Sequence, residues 1–231
     1  MTFRILPFAL AALAAFYLMR QMRQVRKPGR FAGRPFARMM NYSHSRLTDW
    51  GLEHVQIGRD FTILDVGCGG GRTVQKLASR VPDGKVHGVD YAAGSVSVSR
   101  ETNEEDIRAG RVEIQEASVS YLPFPDNTFD LITAIETQYY WPNLLDDMRE
   151  VLRVLKPGGT LVVIVEAYKK ESGGTVLASV MKALGGVQLS IREQRALFED
   201  AGYADTEIFE ERSKGWLCAV GKKPVQFTAK G

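Results

Sequence analysis

The chain has 231 residues, of which 45% are hydrophobic and 25% are charged, a balance typical of one large globular domain or two small ones. This composition excludes a disordered, collagen-like or coiled-coil protein as a description of the whole chain. The net charge of +3 is unevenly distributed, because residues 1–40 contain eight Lys or Arg and no Asp or Glu. The two cysteines, Cys68 and Cys218, show no metal-ligand or disulfide spacing, which is typical of a reducing compartment and predicts no metal site.

Residues 1–24 are predicted to form a hydrophobic N-terminal anchor helix. The uncharged run from Ile5 to Met19 is bounded by Arg4 and Arg20. As a helix it would be about 22 Å long, which is shorter than a hydrocarbon core of about 30 Å. We favour a short signal anchor at the cytoplasmic face of a membrane, with the basic flank on the cytoplasmic side. The alternatives are an interfacial helix, a secretory signal and a helix packed on the domain, so a peripheral or cytoplasmic protein stays open.

Residues 25–38 are predicted to be a basic linker, because glycines and prolines interrupt any regular structure at Pro28, Gly29, Gly33 and Pro35. Each basic side chain near an anionic leaflet contributes about 1 kcal/mol to binding, so this segment also suits attachment to a membrane. Nucleic-acid binding is not expected, since few aromatic residues interleave with the basic ones. The rest of the chain, residues 39–231, is predicted to be one domain with an N-terminal lid at residues 39–58.

From residue 61 onward, short β-branched runs alternate with longer helical stretches. The predicted strands are Thr62 to Val66, Lys85 to Val89, Val112 to Gln115, Leu131 to Ile135 and Thr160 to Val165. The predicted helices are Arg72 to Arg80, Ser95 to Ala109, Leu144 to Leu155 and Ile191 to Ala201. An antiparallel hairpin follows, formed by Thr206 to Glu211 and Trp216 to Val220. The alternation predicts an α/β domain with a mostly parallel sheet, whose ligands bind beyond the carboxyl ends of the strands.

A glycine-rich loop follows the first predicted strand and precedes a helix. Glycines at Gly67, Gly69, Gly70 and Gly71 allow a sharp turn and a close approach of the backbone to a ligand. The dinucleotide-binding pattern requires glycine where Arg72 stands, and the phosphate-binding loop requires a Lys-Ser or Lys-Thr pair that is missing here. The loop alone is also compatible with a plain strand-to-helix turn.

Three further segments accompany this loop in a specific order. They are Gly88 to Asp90, Leu122 to Asp130 and Leu152 to Thr160. Together with Ile63 to Gly71, they resemble the motifs of class I S-adenosylmethionine-dependent methyltransferases, in particular the type 11-like group. The resemblance implies S-adenosylmethionine as cofactor and a doubly wound, mostly parallel, seven-stranded Rossmann-like sheet with its last strand antiparallel.

The resemblance also implies which residues bind the cofactor. Asp90 occupies the position of the ribose-binding acid, and Asp65 that of the residue that helps to hold the methionine end. The full set of implied cofactor-binding residues is Asp65, Gly67, Gly69, Gly71, Asp90, Tyr91, Ala117 and Ser118. Family members often have Asp before the Leu-Pro-Phe segment, to accept from the adenine amino group, whereas this chain has Ser118 there. Glu116 is the alternative contact for adenine.

Two segments are candidates for binding the methyl acceptor. The first follows the fourth predicted strand and contains Glu136, Tyr139, Tyr140 and Trp141. The second is the predicted lid, in which Tyr42 is a candidate substrate contact and His44 a candidate general base. Glu136 is the other candidate base, or it neutralises a cationic substrate. Structural alternatives stay open for all of these: capping for His44, an ion pair for Glu136, and core packing for the aromatic residues.

The sequence thus predicts a methyltransferase that acts on a small, lipophilic molecule by in-line displacement. The anchor beside the predicted lid favours such an acceptor, and residues 167–186 are predicted to cap the active site, rest on the membrane or pack in the core. A non-catalytic cofactor-binding or scaffold protein of the same fold is the alternative. A dehydrogenase is disfavoured by Arg72, and the identity of the methylated atom is left open.

Overall fold

A computed structural model of the protein describes residues 45–166, 168–169 and 185–225, and a seven-stranded sheet forms its centre. The predicted anchor at residues 1–24, the linker at 25–38, the start of the lid at 39–44 and most of the 167–186 insert lie outside the described residues. Among the helices that are described, none is both long and apolar enough to cross a membrane.

The strands lie in the order β3-β2-β1-β4-β5-β7-β6. Their bounds are β1 (Thr62–Val66), β2 (Lys85–Asp90), β3 (Val112–Glu116), β4 (Phe129–Ile135), β5 (Leu155–Val165), β6 (Ala204–Glu211) and β7 (Trp216–Lys222). The first five strands pair in parallel, and β7 runs antiparallel between β5 and β6. The predicted seven-stranded, mostly parallel sheet is therefore confirmed. The strand order reverses between the neighbouring strands β1 and β4. Ligands bind at this position in open sheets of this kind.

Six helices are described: α1 (Ser45–Gly51), α2 (Arg72–Arg80), α3 (Ala93–Thr102), α4 (Glu104–Arg108), α5 (Leu144–Val154) and α6 (Ile191–Ala201). Two 3-10 turns, Leu52–His54 and Gln138–Tyr140, complete the order. The start of α6 is fixed by a capping box, in which the Ser190 side chain accepts from the Glu193 amide and the Glu193 side chain accepts from the Ser190 amide.

An apolar core lies on each face of the sheet. One core joins the strands to α5 and α6 through Phe129, Ile132, Met148, Val151 and Phe198. The other joins them to α1 and α2 through Leu47, Ile63, Leu77, Val86 and Ile164. Because the central strands are buried on both faces, they are continuous apolar runs in the sequence, which is why their positions were predictable.

The single helix predicted from Ser95 to Ala109 is wrong, because the chain forms two helices that meet at Asn103. The buried Asn103 side chain donates from Nδ2 to the carbonyl of Ser99 (2.8 Å) and to that of Gly71 (3.0 Å). The break therefore ties the end of α3 to the loop after β1. The fifth strand also begins at Leu155 instead of Thr160, since Leu155 pairs with Phe129 of β4.

The described part of the predicted lid, residues 45–58, contacts the sheet and α2. Gly51 lies so close to β5 that a Cβ atom there would be 2.3 Å from Cδ1 of Ile164. Lys76 of α2 donates to the carbonyl of Ser45 (2.8 Å) and to the Asp49 carboxylate (2.6 Å). Residue 45, where the described part of the lid begins, thus lies beside the helix that follows the glycine loop.

Candidate active site

The glycine loop crosses the carboxyl end of β1 at the point where the strand order reverses. The amides of Gly67 and Cys68 both donate to the carbonyl of Val89 at the end of β2, at 2.8 and 2.9 Å. Gly67, Gly69 and Gly71 have positive φ angles of 75°, 52° and 83°. Side chains other than glycine rarely adopt these angles, so the turn depends on this residue type at three positions.

The three glycines differ in what surrounds them. A Cβ atom on Gly67 would lie 2.5 Å from the Thr137 methyl group, and one on Gly71 would lie 2.5 Å from the side chains of Asn103 and Ser99. A Cβ atom on Gly69 would meet only the Gly67 carbonyl oxygen, at 4.0 Å. Gly67 and Gly71 therefore pack against protein, whereas Gly69 presents its backbone to open space in which a ligand has room.

Asp90, at the end of β2, is buried beside that open space. Its Oδ2 accepts from the Gly69 amide (3.0 Å) and its Oδ1 accepts from the Ala92 amide (2.8 Å). Burial raises the pKa of Asp90, and these two backbone hydrogen bonds act against that rise. A carboxylate has about four lone-pair positions, and the Ser95 side chain also hydrogen-bonds to Asp90, so about one position remains to accept from a ribose hydroxyl. The residues present thus fit the ribose of S-adenosylmethionine.

Asp65, in β1, is a buried carboxylate beneath the glycine loop. Its Oδ1 accepts from the Thr133 hydroxyl of β4 at 2.7 Å. Burial, opposed by the Thr133 hydrogen bond and assisted by the neighbouring Asp90 carboxylate, raises the pKa of Asp65 to about 7. A buried carboxylate of this kind is stabilised in its ionised form by a nearby cation, which the methionine ammonium of the cofactor would provide.

The predicted adenine contacts lie at the ends of β2 and β3. Tyr91, which follows β2, is 41% exposed. The Ala117 amide donates to the Asp90 carbonyl (3.1 Å), so Ala117, which follows β3, lies beside Asp90. The exposed Ser118 side chain accepts from the Ser120 amide at 3.2 Å. Glu116 is also exposed and pairs in register with Asp90. Both candidate adenine contacts are therefore accessible.

The candidate acceptor segment, residues 136–141, follows β4. Glu136 has a positive φ of 58°, which is uncommon for this residue type. Its Oε1 accepts from the Tyr139 hydroxyl (3.1 Å) and from the Glu166 amide after β5 (2.6 Å). Tyr139 and Trp141 are buried, and Tyr140 is half-buried. The structure thus brings Glu136 and Tyr139 into direct contact at the same sheet edge as the glycine loop.

Sequence reasoning missed several residues at this edge. Thr137 links the acceptor segment to the glycine loop, and Thr133 holds Asp65. Tyr168, after β5, donates its hydroxyl to Glu210 of β6, and burial, followed by this contact, raises the pKa of Tyr168 to about 12. The signal for Thr137 was its place within the polar run after β4, but nothing in the sequence showed what it faces.

The candidates Tyr42 and His44 lie outside the described residues. The other two histidines lie in aromatic surroundings: His54 stacks on Phe209 at 4.1 Å between ring centroids, and His87 has its ring edge-on to Phe124 and Phe129. Within the described ranges, no group of three or more His, Cys, Asp or Glu residues is arranged to hold a metal ion.

Comparisons with known proteins agree with this site. Residues 64–163 match the model of a family described as a methyltransferase domain. The chain is 24% identical over 189 residues to the uncharacterized methyltransferase YdaC of Bacillus subtilis, which covers 81% of this chain and 97% of that protein. It is 27% identical over 187 residues to demethylmenaquinone methyltransferase of Bacillus licheniformis, covering 71% of this chain and 79% of the relative.

The fold is similar to that of geranyl diphosphate C-methyltransferase from Streptomyces coelicolor A3(2), solved with Mg²⁺, geranyl diphosphate and S-adenosyl-L-homocysteine. The TM-score is 0.68 at 19% identity, and the match covers 78% of this chain and 79% of that one. The family match spans the glycine loop, Asp90 and the acceptor segment, so sequence and geometry identify the same region. Residues 64–163 therefore identify a methyltransferase domain in this chain, similar to the class I S-adenosylmethionine-dependent methyltransferases, and the protein is a methyltransferase enzyme.

Proposed function

We propose that the protein transfers the methyl group of S-adenosylmethionine to a small, lipophilic acceptor. The observation that carries this proposal is the open space in front of Gly69, which lies beside the buried Asp90 carboxylate. A backbone without a side chain leaves room for a nucleoside. A carboxylate with a spare acceptor position can accept from its ribose hydroxyls.

Different residues of the predicted cofactor-binding set would contact different parts of the cofactor. Asp90 accepts from the ribose hydroxyls, and Asp65 provides a negative charge for the methionine ammonium group. The Gly69 backbone lies along the cofactor, with Gly67 and Gly71 fixing the loop on either side. Tyr91, Ala117 and Ser118 border the adenine, with Glu116 as the alternative acceptor for its amino group.

The cofactor, held by Asp90, Asp65 and the glycine loop, would supply a methyl group on a sulfonium; the acceptor's nucleophilic atom would bond to the methyl carbon while the electron pair of the carbon–sulfur bond returned to sulfur. The protein has to align the two molecules and exclude water. Tyr139, Tyr140 and Trp141 orient the acceptor against the glycine loop. The half-buried Tyr140 offers an aromatic ring with a polar hydroxyl, which suits a molecule that is itself mostly apolar, and the buried rings of Tyr139 and Trp141 pack behind it in the core.

Glu136 is the proposed base among the described residues, for an acceptor whose nucleophile carries a proton. Its carboxylate is held by the Tyr139 hydroxyl and the Glu166 amide, so its position is fixed before an acceptor binds. Outside the described residues, His44 is proposed as a second base and Tyr42 as a substrate contact. The Glu136 carboxylate either takes the proton of the acceptor or neutralises a positive charge on it.

The lipophilic character of the acceptor is supported by the relatives and by the predicted anchor. The names of two similar proteins specify demethylmenaquinone and geranyl diphosphate, both of which contain long apolar portions. We also propose that residues 1–38 hold the domain at the cytoplasmic face of a membrane. In fractionated cells that contain the full chain, the protein should sediment with membranes. Release by high salt would indicate electrostatic attachment and contradict an inserted anchor.

The acceptor class is tested by methyl transfer from radiolabelled S-adenosylmethionine. The purified full chain is incubated with a demethylated quinol, an isoprenyl diphosphate, a sterol and a water-soluble catechol, and the label is extracted into organic solvent. Transfer to one of the apolar compounds is the expected result. Transfer to the catechol alone would contradict a lipophilic acceptor, and cofactor binding without any transfer across a broad panel would favour the scaffold alternative.

A further inference from the structure

We infer that Thr137 is a positioning residue that couples the cofactor-binding glycine loop to the acceptor segment, residues 136–141. The inference rests on the proposed function, because it requires the cofactor to bind at the glycine loop on one side of Thr137 and the methyl acceptor to bind at residues 136–141 on the other. It assigns a role to a residue that the sequence pattern did not single out, and it predicts that cofactor binding at the glycine loop changes the surroundings of Trp141 in the acceptor segment.

The Thr137 hydroxyl forms one hydrogen bond to each side. It donates to the carbonyl of Val66, the last residue of β1, at 3.1 Å. It accepts from the indole Nε1 of Trp141 at 3.2 Å. A hydroxyl has a single proton to donate, so the contact with Val66 uses it and leaves the lone pairs for Trp141. The chain that enters the glycine loop is thereby connected to a buried aromatic residue of the acceptor segment.

The rest of the Thr137 side chain fills the space next to Gly67. A Cβ atom on Gly67 would lie 2.5 Å from Thr137 Cγ2 and 2.7 Å from Thr137 Cβ. The absence of a side chain at Gly67 therefore makes room for Thr137, in contrast to Gly69, which faces open space. Since packed groups at van der Waals contact move together, a displacement of the loop must also displace Thr137.

The acceptor segment is fixed on its other side by separate contacts. Glu136 is tied to β5 through its amide, which donates to the Ile164 carbonyl (2.9 Å), and through its carboxylate, which accepts from the Glu166 amide. The Tyr139 carbonyl accepts from the Val187 amide (2.9 Å). The segment is thus anchored towards β5 by these groups and towards β1 by Thr137. A change at the cofactor-binding loop can therefore reach the acceptor segment through a contiguous set of contacts.

The test compares Thr137→Val, which keeps the shape but removes the hydroxyl, with Thr137→Ser, which keeps the hydroxyl. S-adenosylhomocysteine is the probe, and calorimetry gives its affinity for the full chain. Thr102→Val is the matched control, because the Thr102 hydroxyl also makes one part-buried hydrogen bond, to the Val98 carbonyl at 2.9 Å, but at the end of α3. Thermal melting establishes that each variant is folded.

A second readout follows Trp141 directly. The chain has three tryptophans, so the emission change caused by S-adenosylhomocysteine is compared between the wild type and Trp141→Phe to isolate the Trp141 contribution. We expect Thr137→Val to bind about 3- to 10-fold more weakly, the effect of losing one hydrogen bond, and to lose the Trp141 contribution. Thr137→Ser, which keeps the hydroxyl but loses the methyl group next to Gly67, should be weakened less than Thr137→Val, and Thr102→Val should stay within about twofold of the wild type.

The outcomes separate this inference from the proposed function. Binding by the wild type together with unchanged affinity and unchanged Trp141 emission in folded Thr137→Val would overturn the coupling and leave the cofactor site intact. Equal weakening in Thr137→Ser and Thr137→Val would also overturn it, because the hydroxyl would then not be the connecting group. Failure of the wild type to bind S-adenosylhomocysteine would contradict the proposed function itself.

Discussion

The proposed cofactor side and the proposed acceptor side of the active site are built in different ways. The cofactor side lies at the ends of β1, β2 and β3, and its glycine loop is held by backbone hydrogen bonds such as those from Gly67 and Cys68 to Val89. The acceptor segment after β4 depends in addition on side-chain hydrogen bonds, such as those of Glu136 to Tyr139 and of Thr137 to Trp141. A site held by backbone contacts keeps its shape when side chains change, whereas a site held by side chains can change its specificity. This difference fits a fixed cofactor and a variable acceptor.

The largest change in the free energy of unfolding is expected at Gly67, where the glycine loop packs against Thr137 of the acceptor segment. Gly67→Ala would place a methyl group 2.5 Å from Thr137 and force a side chain to φ 75°, so we expect it to lower the free energy of unfolding by about 3 kcal/mol. Gly69→Ala should cost about 1 kcal/mol in stability, because the added atom enters open space, but should weaken S-adenosylhomocysteine binding about tenfold or more. Chemical denaturation and calorimetry measure the two quantities.

Similar stability losses in the two alanine variants would break the distinction between a packed glycine and one that faces a ligand. Gly110→Ala serves as the control, since Gly110 also has a positive φ (74°) but has nothing within 4 Å of its Cβ position. It should reproduce the backbone strain without affecting cofactor binding.

A smaller effect on free energy is expected from Glu136→Gln on the acceptor side. The substitution removes the negative charge while keeping an oxygen that can accept from Tyr139 and the Glu166 amide. Turnover should fall about 100-fold, equivalent to about 2.7 kcal/mol, as is typical when a general base is lost. The affinity for S-adenosylhomocysteine should not change. Unaltered turnover would assign Glu136 to holding the segment in place only, and weakened cofactor binding would contradict the division of the site.

The third prediction concerns the pH dependence of the cofactor side. Because burial raises the pKa of Asp65 to about 7 in the folded protein, its contribution to stability is fully present below its unfolded pKa of about 3.9 and is lost as the pH rises through 7. Asp65→Asn keeps the oxygen that accepts from Thr133 but does not titrate. The Tm of the wild type should therefore fall relative to that of Asp65→Asn between pH 5 and pH 8.

S-adenosylmethionine sharpens this test. Its ammonium group favours the ionised carboxylate, so saturating cofactor should reduce the pH-dependent difference in Tm between the two proteins. A constant difference in Tm at all pH values would mean that Asp65 does not titrate in this range.

The smallest effect is expected outside both sides of the site, at His87. Its ring is 12% exposed, lies against Phe124 and Phe129, and has Glu113 at 3.7 Å. Burial lowers the pKa of His87, with Glu113 opposing and Lys85 adding to the fall, so its contribution is present above the unfolded pKa of about 6.5 and lost as the pH decreases. Relative to His87→Phe, the wild type should lose stability between pH 7 and pH 5. A loss of equal size in both proteins would assign the acid sensitivity to other groups.

The sequence predicted the strands and helices around the glycine loop better than the contacts of the acceptor segment, for physical reasons. Strand β1 and helices α2 and α6 have the predicted bounds, since local apolar periodicity and capping determine them. The break at Asn103 was missed because it depends on a contact with Gly71, far away in the sequence. Thr137 was missed for the same reason: its role appears only when Gly67 and Trp141 are placed around it. Aromatic residues of the acceptor segment were identified, but not the partners that hold them.

The Asp90 carboxylate beside the glycine loop is proposed to belong to an S-adenosylmethionine site. Calorimetric titration of the full chain with S-adenosylhomocysteine, repeated with Asp90→Ala, tests it most directly. Asp83→Ala is the control, because that carboxylate forms an exposed ion pair with Arg59 at 3.0 Å, away from the loop. We predict micromolar binding that Asp90→Ala weakens by about 10- to 100-fold and Asp83→Ala leaves unchanged. Absence of binding by the folded wild type, or equal binding by Asp90→Ala, would contradict the account.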